Sequence, residues 1–113
     1  MHELTITQSI LDIILKKSQE VQASKVTLIK LVVGELTGYI FDSIEFYFES
    51  LSKDTIAEGA VIDFNSIPAK LRCRACSTIF DPRDTEWVCP ECHGLSVEII
   101  GGRELYINSM EVE

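Results

Sequence analysis

The hydrophobic positions near the start of the chain repeat with the period of an α-helix. Between residues 4 and 21, apolar residues recur at spacings of three and four and gather on one side of a helical projection, with polar residues opposite. The apolar members are Leu4, Ile6, Ile10, Leu11, Ile13, Ile14, Leu15 and Val21. Because this apolar face is wide, the pattern predicts a helix that packs against a large surface such as a β-sheet.

A second helix is predicted to begin near Asp42. Asp42 and Glu45 have the spacing of a capping box, and Phe41 and Phe46 occupy the positions of a hydrophobic staple. We expect this helix to end at residues 52–54. Its buried stripe is predicted to consist of Ile44, Tyr47, Phe48 and Leu51.

Four runs of β-forming residues predict strands. Residues 25–33 and 60–67 are rich in Val and Ile, and Pro68 ends the second run. Residues 97–100 and 104–112 form two more runs, which are joined by Gly101 and Gly102. We expect the last strand to return to the sheet of the main domain.

All four cysteines lie between residues 71 and 96, as two C-x-x-C pairs separated by twelve residues. The pairs are Cys73 with Cys76 and Cys89 with Cys92. Zinc prefers four tetrahedral ligands, and thiolates suit it well. Because four thiolates leave no open position on the ion, the spacing predicts a structural zinc site. Two alternatives are a redox-active C-x-x-C motif, which belongs at the start of a helix, and a pair of disulfides.

This segment also differs in composition from the rest of the chain. It contains two of the three prolines and few aliphatic residues, so it cannot bury a core of its own and needs a cross-link. We therefore predict an α+β fold, with two helices packed on a mixed β-sheet and an inserted zinc-ribbon-like module. The predicted boundaries are residues 1–70 with 97–113 for the α/β domain and 71–96 for the insert.

Charge and hydropathy limit the kinds of partner. The 113 residues include 18 acidic and 10 basic side chains, for a net charge of −8. Without a Lys/Arg cluster, the chain is poorly suited to nucleic acid and better matched to cations or basic protein surfaces. No apolar run approaches the roughly 20 residues of a membrane span, and the first residues do not resemble a signal peptide. We expect a cytoplasmic protein, in which reducing conditions favour metal over disulfides.

Met1, His2 and Glu3 form a second group of candidate ligands. The α-amine, the His2 amide nitrogen and the imidazole can form fused chelate rings, and Ni(II) and Cu(II) bind nitrogen donors strongly. Glu3 adds a carboxylate oxygen or a further backbone donor. The signal is weak by itself, since the default interpretation of such a segment is a frayed terminus. His93 could exchange for a thiolate ligand, but we interpret it as an exposed loop histidine.

Taken in order, the short motifs resemble one family from the first residue to the last. They are Met1-His2-Glu3-Leu4, Val33-Gly34-Glu35-Leu36, Glu58-Gly59-Ala60, the two C-x-x-C pairs, Gly102-Arg103-Glu104-Leu105 and Met110-Glu111-Val112-Glu113. This set resembles the HypA/HybF family of hydrogenase maturation nickel metallochaperones. The resemblance implies a nickel-binding α/β domain that carries a zinc-binding insert.

The resemblance also implies ligands and partners. Ni(II) is the transported cargo, bound by the Met1 amine, His2 and Glu3, whereas Cys73, Cys76, Cys89 and Cys92 bind a structural Zn(II). The implied partners are a HypB-like GTPase, the large subunit of [NiFe]-hydrogenase and, for some members, urease maturation factors. Some relatives carry a histidine after both cysteine pairs, but here Ser77 follows Cys76, so the sequence does not predict a regulatory role that needs both histidines.

Three other functions compete with this hypothesis. A zinc-ribbon protein-interaction adaptor would bind no nickel, and a nucleic-acid-binding zinc ribbon is disfavoured by the negative charge. An enzyme is the third. No Ser/His/Asp set, phosphate loop or pair of catalytic carboxylates stands out in the sequence, so we predict that the protein is not an enzyme.

Overall fold

The computed structural model describes residues 2–113, which form two three-stranded sheets. In chain order the elements are α1 (Glu3–Glu20), β1 (Val26–Gly34), a 3₁₀ turn (Glu35–Thr37), α2 (Phe41–Leu51), β2 (Val61–Ile67), β3 (Lys70–Cys73), β4 (Ile79–Phe80), α3 (Pro82–Thr85), β5 (Val97–Gly101) and β6 (Leu105–Val112). The larger sheet has the order β2-β1-β6 and the smaller sheet the order β4-β3-β5. The mixed α+β architecture predicted from the sequence is confirmed.

The larger sheet and the two long helices form the α/β lobe, residues 2–69 and 102–113. Its central strand β1 is parallel to β2 and antiparallel to β6. The predicted return of the last strand to this sheet is therefore correct. Apolar side chains of both helices and of β1 share one core, whose largest fully buried members are Ile14, Ile29, Leu31 and Ile44.

Helix α1 agrees with the predicted helix within one residue at each end, but its buried face is narrower than predicted. Ile10, Leu11 and Ile14 are buried, whereas Leu4 and Ile13 are each 50% exposed. A helix on a three-stranded sheet is covered only along one stripe, so the outer part of a wide apolar arc stays in water.

Helix α2 begins at Phe41, one residue from the predicted start, but the predicted capping box and hydrophobic staple were wrong. The N-cap is Ile40, which provides no side-chain cap, so Asp42 lies inside the first turn and no capping box forms. Phe41 stacks on Phe64 of β2 with ring centroids 4.4 Å apart, while Phe46 is 67% exposed and forms no staple. The sequence could not show this, because Phe64 lies more than twenty residues from Phe41. The predicted stripe is correct, with Ile44 and Phe48 buried and Tyr47 and Leu51 half-buried.

The smaller sheet forms the cysteine lobe, residues 70–101. β3 is its central strand and pairs antiparallel with β4 and β5. The strand predicted near residues 97–100 exists, but it lies in this sheet and not in the α/β domain to which the sequence assigned it. The division of the chain into domains stays a proposal, for which strand pairing suggests 70–101 as the bounds of the smaller unit.

The molecule is elongated. Its extents are 56 × 25 × 17 Å, and its radius of gyration of 17.9 Å exceeds the roughly 13 Å expected of a compact domain of this length. Within residues 2–113, no helix combines the length and apolar character needed to cross a membrane. The two lobes thus lie end to end.

Candidate metal centre

The two cysteine pairs lie in loops with the same backbone hydrogen bonds. The amide of Cys73 donates to the Thr78 carbonyl at 2.9 Å, and the amide of Cys89 donates to the Gly94 carbonyl at 3.0 Å. Four residues after each first cysteine, Ser77 and His93 adopt left-handed φ values of 65° and 60°. The amides of these two residues donate back to the carbonyls of Cys73 and Cys89 at 2.9 Å. Each C-x-x-C segment is therefore a closed turn.

The turns bring all four sulfurs to one point. The Sγ atoms of Cys73 and Cys92 are 3.5 Å apart, as are those of Cys76 and Cys89, and all four lie within 4.8 Å of one another. A tetrahedral zinc ion with Zn–S distances of about 2.3 Å holds its sulfurs about 3.8 Å apart. The four sulfurs are thus clustered closely enough for one zinc ion to bind all of them.

The thiols of the first pair are poised to ionise. The backbone amide of Cys76, followed by that of Ala75, lowers the pKa of Cys73. The Thr78 hydroxyl, 3.2 Å from the Cys76 sulfur, lowers the pKa of Cys76 to about 6. These donors stabilise thiolates, which are the form that binds metal.

The pKa of Cys92 is shifted in the opposite direction. The Gly94 amide favours its thiolate, but the neighbouring sulfurs of Cys73, Cys76 and Cys89 outweigh that donor and raise the pKa of Cys92 to about 12. Four thiolates at these distances repel one another unless a cation lies between them. The donor set therefore fits a divalent, thiophilic ion such as Zn(II).

Neither alternative chemistry for the cysteines matches the geometry. All four cysteines are free thiols, and neither pair lies at the start of a helix, where a thioredoxin-like redox motif belongs. Cys73 and Cys89 are buried, and a Cβ at Gly94 would lie 3.2 Å from the Cys92 sulfur, so a side chain there would crowd the site. A closed, four-sulfur site of this kind is structural.

The structure describes two of the three amino-terminal candidate ligands, and these two differ in burial. Met1 lies outside the described residues. His2 is exposed, with a left-handed φ of 58°, directly before α1. Glu3 is only 6% exposed, and its Oε2 accepts a hydrogen bond of 2.9 Å from the Ile40 amide at the start of α2. The sequence could not predict this hydrogen bond, because every residue except proline has a backbone amide and the donor lies 37 residues away.

A polar junction connects the two lobes. Glu35 accepts hydrogen bonds from the Ala69 amide at 2.9 Å and from Nη1 of Arg83 in the cysteine lobe at 3.0 Å. Arg83 also pairs with Asp81, and this guanidinium lowers the pKa of Asp81 to about 2. Beside these groups, a Cβ on Gly34 would overlap the backbone of Gly102. The Glu35–Arg83 ion pair therefore connects the two lobes, while the Gly34–Gly102 contact lies within the α/β lobe, where the chain returns from the cysteine lobe.

Comparison with known proteins decides what kind of metal protein this is. The model of the HypA family, described as "Hydrogenase/urease nickel incorporation, metallochaperone", matches residues 1–112. The chain belongs to the HypA family. As a member it is a nickel metallochaperone that takes part in protein maturation, and its four-cysteine cluster fits a structural zinc ion.

Relatives and solved structures agree with the family. A hydrogenase maturation factor HypA from Dehalococcoides mccartyi is 49% identical over 113 residues, which cover 100% of this chain and 95% of the relative. Another, from Caldanaerobacter subterraneus subsp. tengcongensis, is 40% identical and is covered in full. The solution structure of the Ni metallochaperone HypA from Helicobacter pylori has a TM-score of 0.70 and 25% identity, covering 99% of this chain and 97% of that one. A further HypA solution structure has a TM-score of 0.76 at 25% identity, covering 100% and 97%.

These matches confirm the family and the nickel metallochaperone function predicted from the ordered motifs. His93 is exposed, as predicted, and lies at the position in its turn that Ser77 occupies in the other. The nickel ligand set and any regulatory role of His93 stay predictions.

Proposed function

We propose that this HypA family member binds Ni(II) through the Met1 amine, His2 and Glu3 and delivers the ion for maturation of a [NiFe]-hydrogenase. The observation that carries the proposal is the match of the nickel metallochaperone model to residues 1–112. The similar proteins from D. mccartyi and C. subterraneus are both named as hydrogenase maturation factors, which supports hydrogenase as the destination.

The geometry around residues 2 and 3 supports a site that is anchored yet accessible. The Ile40 amide holds one oxygen of the Glu3 carboxylate, so the first turn of α1 is tied to the start of α2. The exposed His2 side chain lies next to this anchor, where an acceptor protein can reach it. Nickel held by an amine, an amide and an imidazole can be passed on one ligand at a time, and protons compete for those nitrogens. We therefore expect nickel affinity to fall in acid.

The cysteines have a separate role in this proposal. Cys73, Cys76, Cys89 and Cys92 would hold Zn(II), which when bound cross-links the two turns and fixes the fold of the cysteine lobe. We infer that the protein is a carrier and not an enzyme, because a closed sulfur site offers no position for a substrate. A HypB-like GTPase, the hydrogenase large subunit and, for a urease role, urease maturation factors are its proposed partners. We propose a cytoplasmic location, because reducing conditions there keep the four cysteines available for metal.

The decisive experiment is a nickel titration of zinc-loaded protein that begins at Met1, followed by isothermal calorimetry. His2→Ala should weaken nickel binding by more than the roughly 10–100-fold that loss of a ligand's hydrogen-bonding partner costs in metal sites. His93→Ala is the matched control and should leave the affinity unchanged. Residues added before Met1 should also weaken nickel binding without changing the zinc content. Equal affinity of the wild type and His2→Ala would refute the proposed site.

A further inference from the structure

A groove far from the cysteines separates α2 from the start of β2. It has a volume of about 340 Å³, and its walls combine apolar and acidic side chains. The residues that define it, the α2–β2 groove, are Glu45, Phe48, Glu49, Ser52, Val61 and Ile62. Its apolar walls are exposed to water at Val61, which is 61% exposed, and Phe46 on the adjoining surface of α2 is 67% exposed.

The charge around this groove is strongly one-sided. Residues 41–63 contain six carboxylates and a single basic residue, Lys53. Glu45 and Glu49 lie one helical turn apart on α2, an arrangement of like charges that destabilises a helix. Helix α2 has no basic residue in its last turn, and none of the ion pairs found among residues 2–113 includes Glu45 or Glu49. The groove thus presents two carboxylates whose charge is not compensated.

Two polar features suit a polypeptide as the occupant. Within residues 2–113, β2 pairs only with β1, so the backbone groups on its outer edge are available to an added strand. Ser52 is 1% exposed and its hydroxyl oxygen has no hydrogen-bond partner among the described residues. A chain lying in the groove brings amide donors and acceptors to both places.

We propose that the α2–β2 groove is a docking site for a basic segment of a partner protein. Lysine side chains of the segment would place their ammonium groups against Glu45 and Glu49, and an apolar side chain of the segment would cover Val61. Charge complementarity selects this occupant. Nucleic acid and anionic lipid surfaces are repelled by the same carboxylates, and a second copy of this acidic chain brings its own negative charge. The interaction does not require nickel.

The test uses the full, zinc-loaded chain and a defined probe. A fluorescein-labelled ten-residue peptide in which lysine alternates with valine is titrated by fluorescence polarisation, beside a peptide in which glutamate replaces every lysine. The lysine peptide should bind and the glutamate peptide should not. Amide resonances of residues 45–52 and 59–62 should shift in ¹⁵N-HSQC spectra, while those of the cysteine lobe stay in place.

Matched variants separate the groove from general attraction to an acidic protein. Glu45→Gln with Glu49→Gln should raise the dissociation constant of the lysine peptide roughly five- to tenfold. Asp12→Asn with Glu20→Gln removes the same charge from the exposed face of α1 and should change it less than roughly twofold. Val61→Trp, at an exposed wall position, should block binding without any change of charge. If that variant fails to fold, the two paired variants still decide the question.

Three results would overturn the proposal. The first is an equal loss of affinity for the two double variants. That result would mean that the lysine peptide is attracted to the acidic protein as a whole and not to the groove. The second is a set of chemical-shift changes that lies outside the groove. The third is a dimer in sedimentation equilibrium that Glu45→Gln with Glu49→Gln or Val61→Trp disrupts, which would assign the groove to a second copy of this chain.

Discussion

The two lobes are stabilised in different ways. The core of the α/β lobe contains eleven buried residues, and all of them are ordinary apolar side chains such as Ile14, Ile29 and Phe48. The core of the cysteine lobe contains four, Leu71, Cys73, Phe80 and Cys89, and two of those are candidate zinc ligands. A core of two large apolar side chains cannot offset the entropy of ordering about thirty residues. The smaller lobe must therefore depend on its metal.

Backbone strain shows the same contrast. Seven described residues other than glycine have positive φ values, and four of them lie in the cysteine lobe: Ser77, Glu86, Trp87 and His93. Each such conformation costs on the order of 1–3 kcal/mol, so it persists only where the surroundings enforce it. Ser77 and His93 are enforced by the turns that carry the sulfurs. Strain is thus concentrated where a cross-link is available.

The largest effect is expected from removal of a zinc ligand. Cys89→Ala should unfold residues 71–96 and leave the α/β lobe folded, because only the smaller core depends on the metal; structural zinc contributes about 10–16 kcal/mol in small zinc-binding peptides. ¹⁵N-HSQC spectra should lose dispersion for the cysteine lobe alone, and circular dichroism should retain most of its helical signal.

Ser77→Ala is the control for that substitution, since Ser77 is exposed and lies in the other turn. It should leave the zinc content and the spectra unchanged. Global loss of helical signal in Cys89→Ala would show that the lobes are not independent. It would contradict the claim that only the cysteine lobe depends on the metal.

A smaller effect is expected within the α/β lobe, where Gly34 packs on the backbone that returns from the cysteine lobe. Gly34→Ala places a methyl group against the backbone of Gly102, and overpacking of this kind costs about 1–3 kcal/mol. Urea unfolding should show a lower midpoint for the α/β lobe. Gly59→Ala is the matched control, because its Cβ would meet nothing within 4 Å and only the φ of 81° is strained. Because Gly34 has an ordinary extended φ of −76°, a loss no larger than that of Gly59→Ala would show that the Gly102 backbone moves aside at little cost.

The smallest effect is expected from the charges at the junction. The pKa of Asp81 is lowered to about 2 by Arg83, so the stabilisation from this pair is fully present above the ordinary pKa near 3.9 and is lost as pH falls toward 2. Arg83→Gln should raise the pKa of Asp81, followed by NMR, toward its ordinary range, while the amide of residue 83 still donates to the carboxylate and keeps the pKa somewhat low. Residual dipolar couplings should then report a looser angle between the lobes. An unchanged Asp81 titration would exclude Arg83 as the cause.

Features that depend on local pattern were predictable from the sequence. The period of α1, the β-forming run of β1 and the cysteine spacing each involve neighbours within a few turns, and all three predictions agree with the structure. The short helix α3 could also have been predicted, because Asp81 followed by Pro82 is a helix-start signal. In the structure, Asp81 caps that helix.

Features that depend on distant contacts were not predictable. The capping of α2 differs from the prediction because Phe41 stacks on Phe64 and the Ile40 amide donates to Glu3, and neither partner is a sequence neighbour. The assignment of β5 to the smaller sheet depends on pairing with β3, some 25 residues earlier. Local capping rules could not anticipate these choices, because tertiary packing overrides them.

The hydrogen bond between Glu3 and residue 40 has a consequence for how this chain can vary. The donor is the main-chain nitrogen of Ile40, whose side chain is 56% exposed and takes no part in the bond. Nineteen of the twenty amino acids supply that same N–H, and proline alone lacks it. Position 40 can therefore change its chemical character freely, and introduce a new polar or charged group beside the amino terminus, without loosening the anchor of the first helix.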